Sequence, residues 1–330
     1  MASAPQLNST TTSDELVPYY ANNIKDKVVL TTGTSPGGLG AYFVQTIAKA
    51  GPAWLILAGR DSKKAQETEA AIAASNPEVK VRFLKLDLES LQSVREAAAE
   101  VNAWSDIAAI DVIVNNAGIT DYEYRLTVDG FERHLAANHL GHFLLTNLIM
   151  DKVLPSTGPR VINVTSEAHR LSPFRFRDYN FDSGKTYHGL RAYGQSKSAN
   201  MLMAISLAEK LGKRGLLAFS VQPGPVFTNI LARLDLPKFY EDVVEIDRYF
   251  GNDEAFTTRT GGLKTLEQGT ATHVFAAFDP NLAAHNGAYL LDCHVANPFN
   301  DSIKPWATSP VEAEKLWRLS EELVGQKFSY

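Results

Sequence analysis

The sequence predicts an α/β chain folded as one doubly wound parallel sheet with helices on both faces. Three observations carry this. Short apolar runs alternate with amphipathic stretches from residue 27 onward, the period switching between that of a strand and that of a helix. The runs are apolar at successive positions, as in Trp54-Leu55-Ile56-Leu57-Ala58, so both faces of each strand are expected to be covered. A glycine cluster, Thr31-Thr32-Gly33-Thr34-Ser35-Pro36-Gly37-Gly38-Leu39-Gly40, separates the first run from the first helix.

In chain order, residues 28–30 form the first expected strand, 41–50 a helix and 54–58 the second strand. Ser62 caps an alanine-rich helix that Asn76-Pro77 closes, and 79–84 is the third strand. Ser90 opens a helix running to about 103, and 110–114 is the fourth strand. A long helix over 127–154, a strand at 161–165, a helix at 191–211 and a strand at 217–221 follow. A helix at 267–278 and a strand at 288–291 precede a tail, 292–330, with an amphipathic helix at 311–324. Crossovers between such parallel strands are right-handed. No linker or repeat divides the chain, so residues 25–330 read as one domain, with 1–24, rich in Ser, Thr and Asn, as a partly ordered lead-in. Two stretches break the alternation, 167–192 and 227–262, and long loops in a compact α/β domain are usually lids or binding loops.

The net charge of -5 comes from interspersed acids and bases, without the basic stripe that nucleic acid or an anionic membrane surface selects. No segment approaches the ~20 uncharged residues of a membrane span, and the start has no secretory pattern. The single cysteine, Cys293, rules out an internal disulfide and a thiolate cluster and suits a reducing compartment, so a cytoplasmic protein is expected. His134, His139 and His142 lack a carboxylate at ligand spacing and lie on a helix the core needs, so no metal site is assigned. Phe174, Phe176, Tyr179, Phe181 and Tyr187 either line an apolar pocket or staple a long loop to the body.

The glycine cluster stands where a dinucleotide pyrophosphate meets a helix N-terminus, which makes the sheet Rossmann-type. Gly33, Thr34, Ser35, Gly38, Leu39 and Gly40 are the expected contacts. At the end of the second strand, where an acid takes a ribose 2′-hydroxyl and a base takes a 2′-phosphate, the sequence has Ala58-Gly59-Arg60. Arg60 offers a planar, permanently charged fork, so NADP(H) is the expected cofactor.

Tyr193 and Lys197 stand at i and i+4 on one helix face. A free phenol titrates near ~10, and a neighbouring ammonium favours the phenolate. Ser166, ending the strand at 161–165, puts a hydroxyl over the crevice where open α/β sheets bind ligands. Asn116, Ala117 and Gly118, after the fourth strand, let backbone approach the cofactor, and Asn138 is a polar residue in an apolar helix whose amide demands partners.

With these motifs in this order, residues 27–324 resemble the short-chain dehydrogenase/reductase family, more narrowly its retinol-dehydrogenase-like and WW-domain-oxidoreductase-like branch. The resemblance implies a catalytic set of Ser166, Tyr193 and Lys197 with Asn138 as fourth member, the Asn holding a water that links Lys197 to bulk proton exchange. It also implies adenine contacts near Asp87 and Leu88, and contacts to the nicotinamide carboxamide from Pro223, Gly224, Val226 and Thr228. Two features depart from the family pattern. The glycine loop is one residue longer, around Pro36-Gly37, and the gap from Ser166 to Tyr193 is long, which suggests an insertion over the substrate mouth. The expected chemistry interconverts a carbonyl and an alcohol on a largely apolar small molecule, a lipid, steroid, retinoid or natural-product intermediate, chiefly as reduction. A non-catalytic NADP(H)-binding protein and a redox-neutral epimerase or dehydratase are the alternatives. Oligomeric state is not read from the sequence; a homodimer, common in the family that it resembles, is the most frequent closed assembly.

Overall fold

The computed structural model describes residues 6–230, 235–252 and 262–330. Eight strands form one sheet in the order β3-β2-β1-β4-β5-β6-β7-β8. They are β1 (Val28–Thr32), β2 (Trp54–Gly59), β3 (Lys80–Lys85), β4 (Val112–Asn115), β5 (Arg160–Val164), β6 (Leu217–Gln222), β7 (Tyr289–Leu291) and β8 (His294–Val295). The first seven are parallel, and β8 returns antiparallel on β7. The chain leaves β1 in one direction through β2 to β3, then restarts on the other side at β4, so the connections diverge at the carboxyl ends of β1 and β4 and open a crevice there.

The helices are α1 (Ser13–Tyr19), α2 (Ala21–Ile24), α3 (Leu39–Ala48), α4 (Ser62–Ser75), α5 (Leu91–Ala103), α6 (Gly141–Leu148), α7 (Met150–Val153), α8 (Gly189–Leu211), α9 (Leu236–Phe250), α10 (Leu266–Phe278) and α11 (Pro310–Val324). Two apolar cores lie on opposite faces of the sheet. Residues of α5, α6, α8 and α11 fill one, and residues of α1, α3 and α10 fill the other.

The structure adds two elements to the sequence reading and corrects one. The segment expected to be a partly ordered lead-in contains α1, closed by a capping box in which Thr12 Oγ1 accepts from the Glu15 amide and the Glu15 carboxylate accepts from the Thr12 amide. Leu16, Val17, Tyr20 and Ile24 recur at helical spacing and are buried in the second core, and the Tyr20 hydroxyl donates to Asp279 at 2.6 Å. The helix expected from residue 127 starts only at His134. Gly130 adopts φ +80° in a turn that brings Leu126 opposite Glu132, and that reversal cannot continue into a helix. It opens with a π-helical turn, Leu135–Leu140, centred on Asn138. Finally, strand β8 had no counterpart in the sequence reading, being only two residues long.

The tail helix α11 is structural. Trp317 meets the Phe143 ring edge-on at 4.9 Å and is 3% exposed. Trp317→Ala should therefore cost about 3–5 kcal/mol, read as a lower midpoint in urea unfolding. An unchanged midpoint would mean that α11 contributes nothing to the core.

Candidate active site

A cavity of about 1140 Å³ opens at the carboxyl ends of β1, β4, β5 and β6. Every site residue expected from the sequence lines it except Gly40 and Asn138, which lie behind the wall.

The glycine loop is shaped by close approach. Gly33 has φ +74°, and a Cβ there would stand 2.8 Å from the Ala117 Cα. A Cβ on Gly40 would stand 2.5 Å from Asn116 Nδ2 and 2.6 Å from the Gly33 carbonyl oxygen, so Gly40 lets α3 pack against the loop rather than facing the cavity. The additional residue is absorbed at Pro36-Gly37. Gly37 turns at φ +74°, the Gly38 amide donates to Ser35, and Asn229 Nδ2 donates to the Pro36 carbonyl at 3.0 Å. Gly33 and Gly38 flank this turn, and their bare backbone beside the start of α3 fits a pyrophosphate.

At the far end of the cavity Arg60 Nη1 donates to Glu89 Oε1 at 3.0 Å. Arg133 holds the same carboxylate through Nε and Nη2, at 2.8 and 3.0 Å, and lowers its pKa. The Asp61 carboxylate caps α4 by accepting from the Lys63 and Lys64 amides, so the first amides of that helix are taken. Positive charge here comes from side chains, Arg60 together with Lys63 and Lys64, which also line the cavity. The sequence reading missed the two lysines, although they follow Arg60 within one helical turn.

Near the centre, Ser166 lies two residues past β5 and caps the short 3₁₀ turn Glu167–Leu171, its Oγ accepting from the Ala168 amide at 3.1 Å. Tyr193 and Ser166 line the cavity together, and the Tyr193 ring lies 5.4 Å from Lys197 Nζ. Lys197 Nζ donates to the Val164 carbonyl at 3.0 Å. Burial pushes the Tyr193 phenol up to about 12, with the neighbouring Ser166 hydroxyl working against it, and pulls the Lys197 ammonium down to about 8. This corrects the expectation of a phenol depressed by its lysine, because desolvation outweighs the other influences of the protein on Tyr193. The phenol is held protonated, as a proton donor must be.

Asn138 is satisfied on both sides. Its Oδ1 accepts from the Ile119 amide at 2.8 Å, and its Nδ2 donates to the Ile119 carbonyl and to Ser196 Oγ at 3.1 and 2.9 Å. Ser196 Oγ donates in turn to the Tyr193 carbonyl at 2.7 Å. A Cβ on Gly118 would lie 3.4 Å from both Asn138 Oδ1 and Lys197 Nζ, so a glycine keeps that wall thin.

Residues 27–237 match the family described as short chain dehydrogenase. The chain belongs to the short-chain dehydrogenase/reductase family. It is 34% identical over 313 residues to the short-chain dehydrogenase/reductase prx1 of Penicillium roqueforti, covering 92% of this chain and 86% of the relative. It is 32% identical to retinol dehydrogenase 11 of Homo sapiens, over 98% of this chain and 92% of that one, which agrees with a retinol-dehydrogenase-like branch. A solved structure from Mycobacterium paratuberculosis, 29% identical, superposes with a TM-score of 0.63 and covers 94% of this chain and 98% of its own.

The chain is an oxidoreductase of this family, and the cavity extends past Ser166 and Tyr193 to a second, apolar end. Ala168, Leu171 and Leu190 line it together with Leu236, Phe239 and Val243 of α9. None of the aromatic residues at 174–187 does. Phe174 meets Phe176 at 4.9 Å, Phe181 meets Tyr187 at 5.5 Å, and Arg175 stacks on Phe181, so these rings staple the loop to the body. Phe239 and Val243, one turn apart on an amphipathic helix, carried the signal that the sequence reading overlooked. Of the second expected loop, 231–234 and 253–261 lie outside the described residues.

The histidines have structural partners. His134 Nδ1 pairs with Glu132 at 2.7 Å and His139 Nε2 with Ser320 at 2.8 Å. Cys293 is buried, and burial pushes its thiol up to about 12. Among the described residues no helix is long and apolar enough to cross a membrane.

Proposed function

We propose that the protein is an NADP(H)-dependent reductase of apolar aldehydes or ketones. The observation that carries it is that Tyr193, which burial holds protonated, and Ser166 line one cavity at the foot of an apolar chamber. Ser166 Oγ and the Tyr193 hydroxyl together receive the substrate oxygen. Tyr193 delivers its proton to that oxygen as negative charge develops on it, and Ser166 keeps the oxygen within reach. The bound nicotinamide supplies the hydride to the carbonyl carbon. Lys197 holds the ribose and places positive charge beneath the phenol as it loses its proton.

Leu171, Leu190, Phe239 and Val243 bring no charge to the chamber, which favours a hydrocarbon-rich substrate of the lipid, steroid, retinoid or natural-product kind. The name of the human relative, a retinol dehydrogenase, supports the same class. NADP(H) over NAD(H) rests on Arg60, Lys63 and Lys64 at the adenosine end. A cytoplasmic setting accords with the one buried thiol.

Two measurements test this. Purified protein given NADPH and a series of aldehydes and ketones of rising hydrophobicity should oxidise NADPH, with KM falling along the series. Absence of turnover across the panel would overturn the reading. Arg60→Ala should raise KM for NADPH by about 10-fold to 100-fold, the worth of a charge-assisted hydrogen bond, and leave KM for NADH unchanged. Equal changes for both cofactors would show that Arg60 does not select between them.

A further inference from the structure

His142 takes no part in the chemistry just described. It is 1% exposed, one turn beyond Asn138 on the π-bulged helix, and both of its ring nitrogens are engaged. Nε2 stands 2.9 Å from Thr32 Oγ1 and Nδ1 stands 3.1 Å from the Asn138 carbonyl oxygen.

The direction of these bonds can be deduced. Thr32 Oγ1 already accepts from the Asn116 and Ala117 amides, at 3.0 and 2.9 Å, so its own hydrogen is left to donate. The acceptor within reach is His142 Nε2. The ring proton must then sit on Nδ1, where it donates to the Asn138 carbonyl. Burial pulls the imidazole down to about 4, so it is neutral and holds this single tautomer.

The chain of bonds joins the two halves of the site. Asn116 and Ala117 line the cofactor end, Thr32 precedes the glycine loop, and Asn138 reaches Ser196 and through it the Tyr193 backbone. We propose that His142 is a positioning residue, a neutral imidazole locked as the Nδ1–H tautomer that sets the cofactor-side turn and the Tyr193 helix at one spacing through Thr32 and the Asn138 carbonyl. The kinetic consequence rests on the reductase reading above, whereas the tautomer does not.

His142→Phe removes both bonds and keeps a ring in the core. His142→Gln retains a donor for the Asn138 carbonyl and an acceptor for Thr32. With NADPH and substrate saturating, His142→Phe should lower kcat by about 10-fold to 100-fold, the cost of misplacing reacting groups by a fraction of an ångström to an ångström, with KM for substrate little changed. His142→Gln should recover most of that loss. Parental kcat in the Phe variant, or a Gln variant no better than Phe at equal Tm, would overturn the assignment. The second arm needs neither turnover nor a variant. Side-chain 15N spectra of the native protein should show His142 protonated at Nδ1 and bare at Nε2 through neutral pH, and an Nε2–H signal would overturn the proposal even if no carbonyl substrate is found.

Discussion

Tyr193→Phe should abolish most carbonyl reduction, lowering kcat by about 10²–10⁴-fold, the usual contribution of a positioned proton donor. NADPH affinity should hold, because the change deletes one hydroxyl and keeps the ring. That ring packs edge-on against His134, with centroids 6.0 Å apart, and the contact does not involve the oxygen. Fluorescence titration with NADPH and steady-state kinetics separate the two effects. A Phe variant retaining about a tenth of parental kcat would show that the proton reaches the substrate oxygen from another group, more loss than that being the least that general acid catalysis predicts.

Lys197→Met should be inactive and yet more stable than the parent. The ammonium is 3% exposed and donates to the Val164 carbonyl, which also receives Asn200 Nδ2 at 3.0 Å and so keeps a partner when the lysine is removed. Its folded pKa is about 8 against 10.5 for the ordinary group, so at pH 7 both folded and unfolded chains carry the charge and the folded one bears the full cost of burying it. Between about 8 and 10.5 the folded state releases its proton first, and the penalty fades as pH rises. Removing the charge should therefore stabilise the protein at pH 7, by up to about 3 kcal/mol, with a gain that shrinks above pH 8. Urea unfolding of the two proteins at pH 7 and pH 10 reads this directly, and a destabilised Met variant at pH 7 would contradict it. Activity should follow the same titration. Reduction should be level below about pH 8 and fall above it as Lys197 loses its charge, while Tyr193, near 12, stays protonated throughout. Lys197→Arg, always charged, should lose that alkaline fall whatever its residual rate.

The residues that meet at the crevice are legible in the sequence because each belongs to a local pattern. Gly33 and Gly38 follow a buried strand, Tyr193 and Lys197 share a helix face, and Ser166 follows a strand. The start of the N-terminal helix was equally local, since Thr12 and Glu15 form a capping box and Leu16, Val17, Tyr20 and Ile24 give the apolar stripe, but the surrounding Ser, Thr and Asn masked it. The late start of the helix carrying Asn138 was not legible. Leu135 to Phe143 extends the helical pattern of the preceding residues, and only the reversal at Gly130 shows where the helix begins.

By itself, then, the sequence determined the doubly wound sheet, the order of its strands along the chain and the residue types at the crevice, because hydrophobic periodicity and turn chemistry act over a few residues. The tertiary structure decided what depends on contacts between distant segments. It held the added loop residue against Asn229, used the aromatic residues of 174–187 as a staple, and placed Phe239 and Val243 in the wall of the cavity. It also raised Tyr193 and lowered Lys197. A phenol's pKa depends on how much water surrounding elements exclude and on which donors they aim at it, and residues far apart in the chain set both quantities.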